Sequence, residues 1–522
     1  MRKWLPLITI CLGTFMLLID VTIVNVALPD MIGSLAASFQ ALQWVVDAYA
    51  LALGALVLGA GTVADRIGHR RAYLIGLAIF AVSSLLCGLA PNPGLLIAAR
   101  TTQGIGAAAM LATTFALLNS AYTGRDRGSA YGIWGAVAGA SSAVGPILGG
   151  LLTESASWRW IFFVNLPVSA LTITLCVVTL ADAHAPTRGR LDLGGLASFS
   201  AAAAAATYAL IRANETGWSA TSVWWLLALA TALLATFVAV EARSRHAMLD
   251  LALLRNRSFV AVLLAGLLLT FAAFAPFTYT SIWLQSVLGL SPLSAGLTGL
   301  PMSITAFGVS AGLGRLLHDR RPDLVIGAGL LFIGAGSLLT AALVHGSASW
   351  PALVPGLAVI GVGVGLATPI LGSVSMSLVA PERGGMAAGA VNTTRQLGYA
   401  FGIAALGSVF TVRAQSVLSG LGSPEPAPLA HAVAGGQTPA LLHRAPSSGR
   451  ELLDAAAHAA AVNGVQATFT VAGAVGIVAG LLVVLLMRPG RGAVVGANAL
   501  PADPSSVSVR SGPSFSGRSG PR

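Results

Sequence analysis

Long apolar runs separated by short polar punctuation recur along the whole 522-residue chain. A helix needs about 20 apolar residues to cross the hydrocarbon layer, and runs of that length predict roughly fourteen spans: 5–29, 41–62, 72–90, 94–118, 129–152, 160–181, 193–212, 222–241, 258–281, 294–316, 324–344, 351–377, 385–411 and 464–487. The polar punctuation is lopsided. Alternate connections hold Arg66, Arg70 and Arg71, then Arg125 and Arg127, Arg188 and Arg190, Arg243, Arg245, Arg255 and Arg257, and finally Arg315, Arg320 and Arg321. The opposite connections, around 90–93, 213–221, 285–293 and 345–350, carry almost no arginine or lysine. Basic residues are retained on the cytoplasmic side, so this bias predicts an even helix count with both termini inside.

Three segments depart from the rhythm. Residues 412–463, rich in Ala, Pro, Gly and Ser, predict a long, partly ordered external loop; His431, His443 and His458 within it lack the spacing of metal ligands. Residues 488–522, rich in Ser, Pro, Gly and Arg, predict a disordered cytoplasmic tail. Arg2 and Lys3 ahead of the first apolar run have the look of a signal peptide, but Asp20 interrupts that run and no convincing cleavage site follows, so 5–29 reads as a retained helix.

Composition narrows the class to an all-α polytopic membrane protein. With 56% hydrophobic and only 9% charged residues, the chain cannot cover a water-soluble surface. The net charge of +11 is scattered through short loops, which fits orientation in a bilayer better than nucleic-acid binding. Cys11, Cys87 and Cys176 lie inside apolar runs and have neither disulfide nor metal spacing, so they read as packing residues. The only lysine is Lys3, so a Walker loop GxxxxGK[ST] is impossible, and no nucleophile elbow, HExxH pair or dinucleotide fingerprint is present. No enzymatic activity, metal or cofactor is expected.

Between spans 2 and 3, Gly61, Asp65, Arg66, Gly68, Arg70 and Arg71 form a charged hinge in which the glycines allow a tight turn. A degenerate copy, Gly314, Arg315, His318, Asp319, Arg320 and Arg321, falls between spans 10 and 11, where a repeat beginning at span 9 would place it. The expected organisation is 6 + 2 + 6: a bundle at 1–181, an inserted helix pair with linkers at 182–257, and a second bundle at 258–487. Proteins built this way commonly hold their substrate near the midplane between the halves.

Ionisable residues inside apolar spans are expensive and mark functional candidates. Asp20 is the first of these, either as a proton carrier or as a carboxylate paired with neighbours; Asp47, at the start of span 2, is a second acid or a helix-end charge. Arg100 and Gln103 stand at i and i+3 in span 4, where the arginine either tunes a nearby carboxylate or ties two helices through backbone carbonyls. In span 5, Gly139, Gly145, Pro146, Gly149 and Gly150 predict close packing and bending. Asn25, Asn392, Arg395 and Gln396 are further polar candidates for a cavity; Arg395 either faces it or salt-bridges across the halves, and Asn392 and Gln396 either line it or form interhelical hydrogen bonds.

The pattern GxxxDRxGxRR at 61–71 resembles the signature loop between helices 2 and 3 of the major facilitator superfamily. Leu18 through Pro29 resembles the helix-1 signature of its drug:proton antiporters with fourteen helices, the EmrB/QacA-like branch. Gln43–Tyr49, Arg100, the GPxxGG of 145–150, Trp158–Pro167, Leu284–Pro292 and Asn392–Gly398 extend that likeness. The resemblance implies a major facilitator fold in a bacterial cell membrane. It implies a proton-driven exporter of hydrophobic, cationic or aromatic small molecules, drugs and antibiotics among them. In such a protein Asp20 and Arg100 serve proton coupling or substrate handling, and 61–71 serves as a conformational latch. Two alternatives stay open: an exporter dedicated to one self-made metabolite, suggested by the arginine-, alanine- and glycine-rich composition of a GC-rich genome, and a non-transporting membrane receptor or sensor.

Overall fold

The computed structural model describes residues 2–35, 37, 39–180, 192–244, 249–317, 320–346, 348–380, 383–444 and 446–487. Outside these lie the expected tail, Arg188, Arg190, Arg245 and, in the second hinge, His318 and Asp319; the side chains of Asn25, Pro146 and Arg315 are likewise outside the described residues.

The apolar runs fold as helices. The first five spans are α1 (Leu5–Leu35), α2 (Phe39–Ile67), α3 (His69–Leu89), α4 (Pro93–Ala121) and α5 (Gly124–Ser155), and the short α6 (Trp160–Phe163) with α7 (Asn165–Thr179) fills the sixth. The inserted pair is α8 (Leu193–Thr216) and α9 (Thr221–Arg243). Then follow α10 (Arg257–Ala273), α11 (Pro276–Ile282), α12 (Pro292–Leu297), α13 (Leu300–Leu317), α14 (Pro322–Leu343), α15 (Val354–Ser377), α16 (Gly384–Gly420), α17 (Pro426–Ala434), α18 (Thr438–Arg444) and α19 (Ser447–Leu486). Local chemistry sets several starts: Asn92 accepts from Leu95 N ahead of Pro93, and Asp192 accepts from Gly195 N at the head of α8.

Among the described residues, thirteen segments have both the length and the apolarity to cross a bilayer. The remaining expected span, 129–152, lies within the unbroken 32-residue α5. The span expected at 258–281 is interrupted: Pro276 lacks an N–H, and both Phe274 and Ala275 donate to the Thr270 carbonyl at 3.2 Å before α11 restarts the helix.

The expected loop at 412–463 is largely helical. α16 and α19 run for 37 and 40 residues, about 55–60 Å at 1.5 Å per residue against a hydrocarbon layer of about 30 Å. Their projecting ends, with α17 and α18 between them, bury Leu418, Ala430, Val433, Ala457, Ala460 and Ala461 in one apolar cluster. Alanine-rich composition, read as loop in the sequence, favours helix once a packing partner exists.

Apolar side chains of α10–α19 form one core, and those of α1–α5 form another that also takes in Met376 and Met386–Ala390. Lipid offers no hydrophobic drive between helices, so close backbone contact does much of the work. A Cβ on Gly363 would collide with the Gly329 carbonyl oxygen and lie 2.8 Å from Ile333 N, which brings α14 and α15 together; around Gly308 nothing lies within 4 Å. Gly363→Leu is therefore expected to destabilise the purified protein by about 1–3 kcal/mol, read as a lower melting temperature in detergent, while Gly308→Leu leaves the melt unchanged.

Candidate functional site

Asp20, Arg100 and Gln103 meet in the interior with no exposed surface. The helical offset between Arg100 and Gln103 turns both toward α1. Arg100 Nη1 donates to Asp20 Oδ2 at 2.5 Å and to Gln103 Oε1 at 2.7 Å, and Arg100 Nε donates to the Val45 carbonyl at 3.0 Å. Gln103 Nε2 and Asn165 Nδ2 each donate to Asp20 Oδ1 at 3.0 Å, and Gln103 also reaches Ser84 Oγ at 2.8 Å. The Tyr49 ring lies under the guanidinium, 4.2 Å from its centroid. Gly104 permits this approach of α2 to α4, since a Cβ there would lie 2.6 Å from the Tyr49 carbonyl oxygen. Arg100 pairs with the acid and ties α4 to α2 through a carbonyl. Asp47, on the same helix as Tyr49, is half-buried.

α5 packs directly behind the pair. A Cβ on Gly145 would collide with Thr22 Oγ1 and lie 3.3 Å from the Ile19 carbonyl, the residue before Asp20. Gly135 and Gly139 instead face Ser310 and Ala306 of α13, and Gly150 faces Leu293 of α12. Gly149 is buried in the same helix.

The hinge is a contact between distant helices as well as a turn. Asp65, in the last turn of α2, accepts from the backbone N–H groups of Gly385 at 2.6 Å and Met386 at 2.8 Å, in the first turn of α16. A carboxylate at a helix N-terminus meets unpaired donors and the positive end of the dipole. The sequence reading of Gly61 needs correction. Gly68 makes the turn, with φ 97°, but Gly61 is helical and lies against Gly385, whose carbonyl oxygen a Cβ would strike. Arg70 donates to the Val177 carbonyl at 2.7 Å, which ties α3 to α7; Arg66 is half-buried and Arg71 exposed. His69 Nε2 lies 3.5 Å from Asp65 Oδ1.

Residues 10–403 match the Major Facilitator Superfamily. The chain belongs to that superfamily. It is 38% identical over 406 residues to the multidrug resistance protein Stp of Mycobacterium tuberculosis, covering 78% of this chain and 75% of that one. It is 37% identical to a puromycin resistance protein of Streptomyces alboniger, over 78% of this chain and 82% of the relative. The tetracenomycin C resistance and export protein of Streptomyces glaucescens matches over 92% of this chain and 90% of its own, at 31% identity. Among solved structures, the human organic anion transporter MFSD10 and the proton:xylose symporter XylE superpose with a TM-score of 0.60 each, at 15% and 13% identity. Each alignment spans 92% of this chain, with 99% and 94% of the other, which shows a shared fold. The protein is thus a multi-pass membrane transporter rather than an enzyme.

In this major facilitator chain, the α16 candidates do not gather at Asp20. Asn392 Nδ2 donates to the Leu111 carbonyl of α4 at 3.3 Å. Gln396 packs near Gly54 of α2, where a Cβ would lie 3.7 Å from its own and 4.0 Å from Thr207 Oγ1 of α8. Arg395 is half-buried against α10. Sequence reasoning missed Ser84, Asn165 and Tyr49 as parts of the site. Asn165 carried a signal: it is a lone amide two residues before Pro167 at the start of a span.

Two backbone bonds to one carboxylate join α2 to α16 at the hinge, each charge-assisted and worth roughly 1.5–3 kcal/mol. Asp65→Ala is expected to open this end. A cysteine placed at the buried Met386, in a background lacking the native cysteines, then reacts with a soluble maleimide about tenfold faster or more; an unchanged rate contradicts the contact's role.

Proposed function

We propose that this transporter exports hydrophobic small molecules, antibiotics among them, in exchange for protons entering the cell. The observation that carries the reading is the sealed Asp20–Arg100 pair, a titratable acid inside a membrane bundle with its counter-charge at 2.5 Å. Relatives named for antibiotic resistance and export support the substrate class.

The working arrangement is an N-terminal bundle at 1–181, an inserted pair with linkers at 182–257 and a C-terminal bundle at 258–487, in a bacterial cell membrane with both termini and the Asp65 hinge cytoplasmic. The cross-bundle hydrogen bonds Asp65–Gly385, Asn392–Leu111 and Ser310–Gly132 lie toward the hinge end, while at the far end of α5 Gly150 only approaches Leu293; this supports a state closed to the cytoplasm. In this state Asp20 takes a proton from outside. Protonation removes one half of a buried ion pair, and leaving the other charge unmatched costs about 3–5 kcal/mol. That difference shifts the population toward an arrangement in which Arg100 keeps the Val45 carbonyl and Gln103 while α1 moves. Release of the proton inside restores the pair, and the Asp65 latch re-forms as the cytoplasmic end closes. Asp47 and Gln103 modulate the step, the first by its charge in the third turn of α2 and the second through its bond to Asp20.

An exporter dedicated to one endogenous metabolite is supported by relatives whose names carry single antibiotics. A panel of substrates separates broad from narrow export. In proteoliposomes with an imposed pH gradient, native protein should move dyes or antibiotics, and Asp20→Asn should lose at least tenfold of that flux together with its response to the gradient. Unchanged, gradient-dependent flux in Asp20→Asn would overturn the assignment of Asp20, and ligand binding with no flux in native protein would support a receptor instead.

A further inference from the structure

Charges within the spans are distributed unequally. Asp20 and Arg100 balance one another; α2 carries a further acid, Asp47, and α16 carries Arg395 about 17 Å along its axis from Gly384, at 1.5 Å per residue. From Asp323 to Glu425 the sequence holds one acid, Glu382, just before α16, and α10, α11, α13, α15 and α16 contain no Asp or Glu at all. A guanidinium stays charged at any physiological pH, so in an apolar bundle it needs a counter-charge or a polar cavity.

The stem of Arg395 is fixed. A Cβ on Gly266 of α10 would lie 3.3 Å from Arg395 Cγ, so this glycine makes room for the aliphatic chain. The Arg395 carbonyl accepts from Thr270 Oγ1 at 2.7 Å. Its head is not fixed in the same way. Among the described residues its guanidinium has no hydrogen-bond or ion-pair partner, and its nitrogens are not among the sealed polar atoms of the interior. Nor does it face lipid. Asn392, one turn earlier, donates to α4, so this side of α16 looks inward between α4 and α10, while Phe401, half a turn round from Asn392, takes the outer face at 46% exposure.

We propose that Arg395 supplies the counter-charge for the cargo: the molecules transported are hydrophobic weak acids whose carboxylate or acidic phenol docks on this guanidinium. The planar fork of arginine suits a two-oxygen anion. This rests on the exporter reading and narrows its hydrophobic substrates to anionic ones. It also alters the energetics, because an anion leaving against an entering proton carries net positive charge inward, so the membrane potential assists export. A monovalent cation exchanged for one proton moves no net charge.

Binding to purified full-length protein in nanodiscs tests the proposal without any gradient. The probes are a coumarin carboxylate, its methyl ester and its trimethylammonium amide, followed by fluorescence anisotropy. Native protein should bind the carboxylate at least tenfold more tightly than either of the others. Arg395→Gln should erase that preference while the ester's affinity stays within twofold, and Arg395→Lys should restore part of it. Equal binding of all three probes by native protein overturns the proposal, as does an Arg395→Gln effect that weakens all three alike. Transport of the same probes in proteoliposomes tests the exporter reading separately. Selective acid binding without flux would sink export and leave the anion site standing; pumping of the cation independent of Arg395 would do the reverse. A potential negative on the cytoplasmic face, set with potassium and valinomycin, should accelerate the acid's export, and no acceleration would also count against the anionic cargo.

Discussion

Desolvation of one carboxylate and one guanidinium, both without exposed surface, sets the terms for the N-terminal helices. Each ion taken from water costs several kcal/mol, and mutual attraction offsets this only where the remaining donors and acceptors are also met. Here most of them are met from five helices: Asp20 on α1, the Val45 carbonyl on α2, Ser84 on α3, Arg100 and Gln103 on α4, and Asn165 at the start of α7, while Arg100 Nη2 stays buried without a hydrogen bond among the described residues. Because lipid provides no hydrophobic drive between helices, such polar ties and close glycine contacts decide how the bundle is held. In the proposed cycle, the same network that fixes the helices makes their arrangement sensitive to a single proton on Asp20.

Two contiguous contacts connect this network to the rest of the molecule. α5 touches α1 at Gly145, beside Ile19 and Thr22, and touches α13 through Gly135 and Gly139, so a shift of α1 is felt directly by a helix that also packs against the C-terminal core. At the hinge end, Asp65 holds the first turn of α16, and α16 is the helix that presents Asn392 to α4 and Arg395 to the space between α4 and α10. In the proposed cycle, proton chemistry belongs to α1 and α4, cargo recognition to α16, and the Asp65 contact sets how readily the two move together. Arg383, at the head of α16, pairs with Asp250 at 2.6 Å, so the connection from the inserted pair is tied to the same moving end.

Much of this was legible in the chain because charge is so rare in it. An acid or an arginine inside a twenty-residue apolar run is conspicuous, so Asp20, Arg100 and the 61–71 hinge stood out, as did the superfamily those motifs resemble. Uncharged partners were not conspicuous: Ser84 and Asn165 cost little in an apolar run and gain meaning only when folding brings them to Asp20. The Val45 carbonyl was invisible in principle, since every residue has one. Residues 412–463 misled because alanine and glycine carry no strong periodic signal, and their helices depend on packing α16, α17 and α19 against one another. Gly61 misled for a related reason: a glycine beside charged residues suggests a turn, whereas its value here is the close approach of α2 to α16.

In the proposed cycle a proton on Asp20 shifts the bundle away from the cargo-loaded arrangement, so cargo and proton compete through Asp20. The most direct measurement is proton release from purified, weakly buffered protein on addition of a transported substrate, followed with a pH indicator in native protein and in Asp20→Asn. Native protein should release protons on binding, and Asp20→Asn should bind the same substrate with no release. Equal release from the two proteins would contradict it.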